Sequence, residues 1–290
     1  MRILLTGGAG DLGLLLAREL DLQGDTPTCL DIRPPQSQRG IYIPGSILDR
    51  DLLQNSLDGV DLIVHIAAWH GIHEVTQAKD AFEFWDLNVT GTFNVFETAV
   101  RTGISKIVHI SSTSVRDEDS IYGQSKILAE QIASNYKRRH NLDIIVLRPR
   151  AFIPHWNRLA YNTFVEWAKW FWPGAVHIND VTQAVLLAVN RLKQQSLAEM
   201  PVLTIDGAYD YQDDDLANWD QDGPGTTFRK YFADYYDLAI QYGLDPALRP
   251  KKLDISLTQK WLGYEPQYSL KNLLQELAQF GEDGPPLPKF

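Results

Sequence analysis

The chain opens on Ile3-Leu4-Leu5-Thr6-Gly7-Gly8-Ala9-Gly10-Asp11-Leu12-Gly13-Leu14-Leu15-Leu16. An apolar run broken by glycines and resumed at helical spacing predicts a buried parallel strand that feeds a helix through a tight turn. Gly7, Gly10 and Gly13 sit three apart. That spacing lets the backbone turn sharply, approach an anion closely and pack the helix on the sheet, with the free amides of the helix start facing the ligand. Such a turn can hold a phosphate.

After a helix over 12–22, a second strand runs through Thr28-Cys29-Leu30 to Asp31, 18 residues beyond Gly13. A carboxylate at the tip of a second strand can accept both ribose hydroxyls of an adenosine. Arg33 could meet a 2′-phosphate, but Asp31 would repel it, which favours NAD and leaves NADP as the second choice. Residues 34–40 read as loop and Ile41-Tyr42-Ile43 as a short strand, with a helix from near Asp49. The run 60–68 is a continuous apolar strand ending in the small residues Ala67 and Ala68, across which a ligand can lie. A helix over 81–101 contains Gly91, which implies close packing. Lys106-Ile107-Val108-His109-Ile110 is a strand tipped by Ser111-Ser112-Thr113-Ser114, and 142–147 is the next strand. This alternation implies an α/β fold, a doubly wound parallel sheet of the Rossmann kind.

Beyond residue 150 the texture changes. Between 155 and 172 stand Trp156, Tyr161, Phe164, Trp167, Trp170, Phe171 and Trp172, against 11% aromatic residues in the whole chain. Their spacing fits a helix with one buried face. A helix over 176–190 and a strand over 201–205 follow. The acidic stretch 210–222 lacks the oxygen spacing and closing Glu of a calcium loop and reads as a solvated loop. The Gly- and Pro-rich 281–288 reads as a frayed tail. The expected organisation is a dinucleotide-binding part over 1–150, rejoined by 176–206, and a small substrate-binding region from 151–175 and 207–290.

Net charge −10 with pI near 5.1 argues against nucleic-acid or anionic-membrane partners. The single cysteine, Cys29, excludes an internal disulfide. No run approaches the roughly 20 apolar residues of a membrane span, and the N-terminus reads as a strand rather than a signal peptide, so the expected location is cytoplasmic.

Tyr122-Gly123-Gln124-Ser125-Lys126 opens a helix in which a spacing of four puts phenol and ammonium on one face. A nearby cation stabilises phenolate, so Tyr122 can serve as a base where a free tyrosine, near pKa 10, would not. A hydroxyl from Thr113 or Ser112, on the strand end just upstream, could hydrogen-bond a substrate oxygen as hydride leaves or arrives.

These segments, with His65-Ile66-Ala67-Ala68, Asn88-Val89-Thr90-Gly91-Thr92, Val176-His177-Ile178-Asn179-Asp180-Val181 and Leu262-Gly263-Tyr264-Glu265-Pro266, resemble the extended short-chain dehydrogenase/reductase family in its NAD-dependent epimerase/dehydratase branch. The resemblance spans nearly the whole chain. It implies that Gly7, Gly10, Asp11, Leu12 and Gly13 form the pyrophosphate loop, that Asp31 holds the adenosine ribose, and that Ala67 and Ala68 line the cofactor. It also implies Tyr122 as general base, Lys126 as the group that holds the nicotinamide ribose and tunes Tyr122, and Thr113, then Ser112, as the hydroxyl partner. The family's association through two long helices, here 81–101 and 122–139, implies a homodimer.

The chain departs from the family pattern in four places. Asp11 replaces an aromatic residue inside the glycine loop, Ser46 stands where an aspartate often meets the adenine amine, and Ala151 replaces a substrate-contacting Asn. Only eight residues separate Thr113 from Tyr122, where relatives insert a longer loop. The last two point to a substrate smaller than a nucleotide sugar. His70, His73 and Glu74 follow the 60–68 strand; with no third or fourth ligand in view, His70 and His73 are read as substrate contacts rather than metal ligands. Arg150, His155 and Arg158 lie in the segment expected to close over substrate and could bind a sugar acid. The activity expected is hydride transfer to or from a secondary alcohol of a sugar, sugar acid or nucleotide sugar. Two alternatives stand beside it: a non-catalytic dinucleotide-binding regulator, and a reductase of ketones or aromatic compounds.

Overall fold

The computed structural model describes residues 1–37, 39–117 and 119–290. Gln38, in the expected 34–40 loop, and Glu118, in the short connection before Tyr122, lie outside the described residues. Among the described residues seven strands form one sheet: β1 Arg2–Thr6, β2 Thr26–Asp31, β3 Ile41–Pro44, β4 Leu62–His65, β5 Lys106–Ile110, β6 Asp143–Pro149 and β7 Val202–Ile205. The order is β3-β2-β1-β4-β5-β6-β7 and every pairing is parallel. The sheet is doubly wound, with the reversal of strand order falling between β1 and β4.

The connecting helices are α1 Asp11–Leu22, α2 Arg50–Ser56, α3 Gly71–Val75, α4 Ala81–Phe84, α5 Thr92–Thr102, α6 Ile121–His140, α7 Phe164–Phe171 and α8 Ile178–Gln194. Five more, α9 Asp213–Ala217, α10 Thr226–Phe232, α11 Tyr236–Gln241, α12 Ser256–Leu262 and α13 Leu270–Phe280, follow β7. Strand side chains alternate between the two faces. Ile3 and Leu5 accordingly pack with Leu15, Leu16, Val185 and Val189, while Leu4 between them packs with Phe96, Ala99 and Tyr136. A third core joins Phe164, Trp167 and Phe171 of α7 to Tyr211, Phe228, Leu273 and Leu274. Among the described residues no helix is long and apolar enough to cross a membrane.

Three local expectations are modified. The 81–101 helix is continuous but contains a π-helical stretch, Trp85–Gly91, and a Cβ on Gly91 would sit 2.5 Å from Ile47. The acidic stretch is ordered by its own carboxylates: α9 occupies part of it, and Asp220 accepts from the backbone amides of Gly225 and Thr227 at 2.7 and 3.0 Å. The tail is docked rather than frayed. Glu282 accepts from the Phe164 amide at 2.9 Å, Lys289 accepts from Arg18 at 3.0 Å, and Phe290 packs against Trp156. Aromatic contacts and satisfied carbonyls anchor a segment whose prolines leave it little freedom to lose.

Two buried histidines pair across the sheet centre, His65 of β4 opposite His109 of β5, with ring centroids 5.3 Å apart. Thr92 donates to the Asn88 carbonyl, so it accepts from His65 Nε2, and Thr6 donates to Nδ1 at 2.8 Å. That arrangement satisfies the neutral ring only. Burial lowers His65 to about 3 and pushes His109 well below its ordinary value; His177, stacked on Tyr268, is likewise lowered by burial to about 3.

The unfolded chain binds protons at these groups from about pH 6.5 downward while the fold refuses them. Stability is therefore full above that pH and falls as pH drops toward about 3, by up to about 1.4 kcal/mol per unit for each histidine. Urea denaturation at stepped pH should show this acid limb, and His109→Leu should make it shallower. An unchanged limb in that variant would contradict the assignment.

Candidate active site

Parallel registers carry the ends of the central strands to one edge. Thr6 pairs with Leu30 and His65, His65 with His109, and Ile110 with Leu147. The segments that follow, 7–13, 66–76, 111–117 and 150–162, emerge together at the carboxyl edge of the sheet, where ligands bind in open α/β folds.

The glycine turn has no room for a side chain at Gly7 or Gly13. Gly7 has φ +72°, and a Cβ there would lie 3.0 Å from the Ala67 backbone. A Cβ on Gly13 would lie 2.7 Å from the Gly7 carbonyl oxygen. Gly10 caps α1 without any side chain, which leaves the helix's first amides open. Asp31, at the tip of β2, accepts from the amides of Ala9 and Arg33, each at 3.0 Å. The strand end thus holds both the glycine turn and the residue that follows it. Ala67 and Ala68 are half-buried at the end of β4.

Tyr122 and Lys126 occupy the first turns of α6, with the ammonium 5.8 Å from the ring centroid. Lys126 Nζ donates to the Ile110 carbonyl at 3.0 Å. Burial lowers Lys126 to about 8, against the opposing pull of Glu130. Burial pushes Tyr122 up to about 12, and the Ser112 hydroxyl opposes that rise. In the protein alone, desolvation therefore outweighs the expected lowering of the phenol by the lysine. Both candidate hydroxyls have partners within the protein: Ser112 donates to the Ser114 hydroxyl at 3.1 Å and accepts from the Ser114 amide at 3.0 Å. Thr113 begins a 3₁₀ turn, Thr113–Arg116, that directs its hydroxyl to the Pro149 carbonyl at 3.5 Å.

Residues 69–75 close over this helix start. Gly71 brings its backbone so near that a Cβ would meet the Tyr122 ring at 3.2 Å. His70 is exposed at the N-terminus of α3, and its amide donates to His73 Nδ1 at 3.0 Å. His73 in turn packs edge-on against Trp69.

The other expected substrate residues are placed differently. Arg150 is committed within the protein: it donates to the Tyr209 hydroxyl at 3.0 Å and to the Lys251 carbonyl, and lies 3.6 Å from the buried Asp206 carboxylate. His155 is buried among Trp156, Phe164 and Trp167, with Nε2 3.3 Å from the Pro285 carbonyl. Arg158 is exposed and donates to the Asn162 carbonyl at 2.5 Å.

Two supporting groups carried no assigned role in the sequence. Asn88 accepts from the Trp69 amide at 2.7 Å and donates to the Trp69 carbonyl and to Ser125 at 3.0 and 2.9 Å, tying the loop to α6. Glu130 accepts from both Ser111 and Arg148. Its spacing of eight from Tyr122 and four from Lys126 puts it on the same helix face, and that signal was available.

Asp11 turns away from the glycine turn. Its carboxylate accepts from Trp156 Nε1 at 2.9 Å and Asn157 Nδ2 at 3.2 Å. Burial raises its pKa, and those two donors and Arg33 oppose the rise. Asp11 is thus a latch between the turn and the 153–162 segment. Asp11→Ala leaves an indole N–H and an amide without acceptors, an expected loss of about 1–3 kcal/mol. The thermal midpoint should fall and trypsin should cut faster after Arg158; cleavage at the wild-type rate would contradict the latch.

Known proteins are similar to this chain in sequence and in fold. A Sinorhizobium fredii protein of uncharacterised function is 29% identical over 182 residues, 57% of this chain and 45% of that protein. A uronate dehydrogenase of Pseudomonas putida is 28% identical over 204 residues, 61% of this chain and 74% of that enzyme. The fold matches a UDP-glucuronic acid 4-epimerase from Bacillus cereus, solved with UDP-glucuronic acid and NAD, at a TM-score of 0.69 and 21% identity, covering 95% of this chain and 97% of that one. The profile of the NAD dependent epimerase/dehydratase family matches residues 3–158. The chain belongs to that family.

Proposed function

We propose that this protein is an NAD-dependent oxidoreductase that moves hydride between the cofactor and a secondary alcohol carbon of a sugar or sugar acid. The observation that carries the reading is the convergence of Tyr122, Lys126 and Ser112 on the strand edge that also bears the glycine turn. The residues present fit the cofactor: close backbone packing at Gly7 and Gly13 excludes a Cβ and keeps the turn tight, the first amides of α1 are open, and the Asp31 carboxylate suits ribose hydroxyls and repels a 2′-phosphate. Tighter binding of NADP than NAD would contradict that role of Asp31.

When bound, NAD supplies the hydride acceptor. The alcohol gives up a hydride from carbon and a proton from oxygen. Tyr122 phenolate takes the proton, Ser112 donates a hydrogen bond to the forming carbonyl oxygen, and Lys126 keeps positive charge beside the phenolate while its remaining N–H groups reach ribose hydroxyls. Return of the hydride to the opposite face would make the same site an epimerase. His70 and His73, on the loop against Tyr122, are the nearest substrate contacts. The short 114–121 connection, Ala151 and the similarity to a uronate dehydrogenase support a substrate without a nucleotide. Residues 151–175 and 207–290, built around the third core, form the substrate-binding region in this reading.

The exposed Phe82, Trp85, Phe93 and Ile121 on the 81–102 run and α6 suit a second copy of the chain, giving a homodimer. Sedimentation should find the dimer, and Phe93→Asp should weaken it; a wild-type monomer would contradict this.

Tyr122→Phe should lower kcat by about 10²–10⁴-fold while NAD still binds. Because the phenol lies far on its protonated side at neutral pH, the phenolate fraction grows about tenfold per pH unit, so alcohol oxidation should speed up from pH 6 to about 8 and level off by pH 9 as Lys126 loses its charge. Initial rates of reduced-nicotinamide formation across that range check both statements. Full activity in Tyr122→Phe would remove the proposed base.

A further inference from the structure

We propose that Glu74 is a positioning residue for the proton transfer, an inference that rests on the reading of Tyr122 as base. Helix α3 is five residues long and half-exposed, yet its glutamate reaches across to the start of α6 and takes three donors there. Glu74 Oε2 accepts from the Ser120 hydroxyl at 2.7 Å and the Tyr122 amide at 2.9 Å, and Oε1 accepts from the Ile121 amide at 2.8 Å. Burial alone would raise this carboxyl, but the three donors outweigh it and hold it below its ordinary value, so the acceptor stays charged.

The first amides of a helix have no partner inside it. In α6 the job is divided. Ser120, the N-cap, accepts from the Gly123 amide at 3.0 Å, while Glu74 takes the amides of Ile121 and Tyr122. One carboxylate from another part of the chain therefore fixes the backbone of the very residue whose phenol must meet the substrate hydroxyl. The usual longer segment between Ser112 and Tyr122 is missing here, and the connection that remains is pressed so close that a Cβ on Gly123 would fall 2.3 Å from the Asp117 carbonyl oxygen.

Two glycines make the grip possible. Gly71 lets α3 lie on the Tyr122 ring, and Gly123 lets the short connection pass beneath the first turn. At the other end of the loop, Asn88 ties Trp69 to Ser125, whose hydroxyl donates to the Tyr122 carbonyl at 2.7 Å. Tyr122 is thus held at its amide by Glu74 and at its carbonyl by Ser125. The ring itself meets Gly71, so α3 places the residue at its amide and at its ring, while Ser125 of α6 holds its carbonyl.

The test compares wild type with Glu74→Gln and Glu74→Ala as full chains with NAD bound, reading kcat, KM and site-resolved amide exchange. Gln keeps an acceptor for Tyr122 and Ser120 but turns an amide group on Ile121, so its loss should be the smaller. Displacing a reacting group by about 1 Å can cost about 10²-fold. Glu74→Ala should therefore lose about that factor in kcat with KM and NAD affinity changed little, and Gln should recover most of it. Exchange should rise at Ile121 and Tyr122 and stay unchanged in later turns of α6.

Unchanged exchange at Tyr122 in Glu74→Ala overturns the proposal. So does raised exchange with wild-type kcat per folded molecule, because Glu74 would then be a cap alone. A wild type with no turnover on any sugar or sugar acid, alongside loosened Tyr122 amides in Glu74→Ala, contradicts the hydride-transfer reading and leaves the placement of Tyr122 by Glu74 standing.

Discussion

The site depends on how closely two backbone segments approach where the sheet changes direction. At Gly7 a single methyl group would press within 3.0 Å of the Ala67 backbone. β1 and β4 are neighbours in the sheet, but the chain leaves β1 for α1 on one face and reaches β4 after winding through β2 and β3. That geometry opens a crevice above the strand ends. A narrow turn at 7–13 and small residues at 67–68 keep it open. Every later element is placed relative to this edge by strict parallel register.

Stability and chemistry draw on the same residues there. Lys126 is an ammonium taken out of water, and its carbonyl partner, Ile110, is the last residue of β5. A buried cation is costly unless paired or hydrogen-bonded, so the strand end that displays Ser112 also steadies the lysine beside Tyr122. Glu130 adds opposite charge one turn on and is itself gripped by Arg148 of β6. The histidine pair beneath the edge works in the contrary sense, since its neutral state is a condition of the packing.

Much of this was legible in the residues. The opening run read as strand, turn and helix because apolar periodicity and glycine spacing are local signals, and the structure places α1 at Asp11–Leu22 where 12–22 was expected. Tyr122 and Lys126 sit on one helix face because a spacing of four dictates it. Legibility failed where the outcome depends on partners distant in sequence. The direction of Asp11 inside the glycine loop is not set locally, because its partners Trp156 and Asn157 lie more than 140 positions away. Arg150 and His155 read as residues that could bind a sugar acid; Asp206, Tyr209 and the docked tail that engage them carry no local mark. The tail looked frayed because composition reports conformational preference and is silent about an aromatic surface waiting for it. The 3₁₀ turn that carries Thr113 is too short to leave a periodic signature.

The central claim is that a hydride passes directly between substrate carbon and cofactor at the Tyr122 edge. The most direct measurement uses a sugar-acid or sugar substrate deuterated at the reacting carbon, incubated with the protein and NAD, followed by mass spectrometry of the recovered nicotinamide. The account predicts deuterium on the nicotinamide ring, with none lost to water. Substrate oxidised with its deuterium released to solvent and the nicotinamide unlabelled would contradict it.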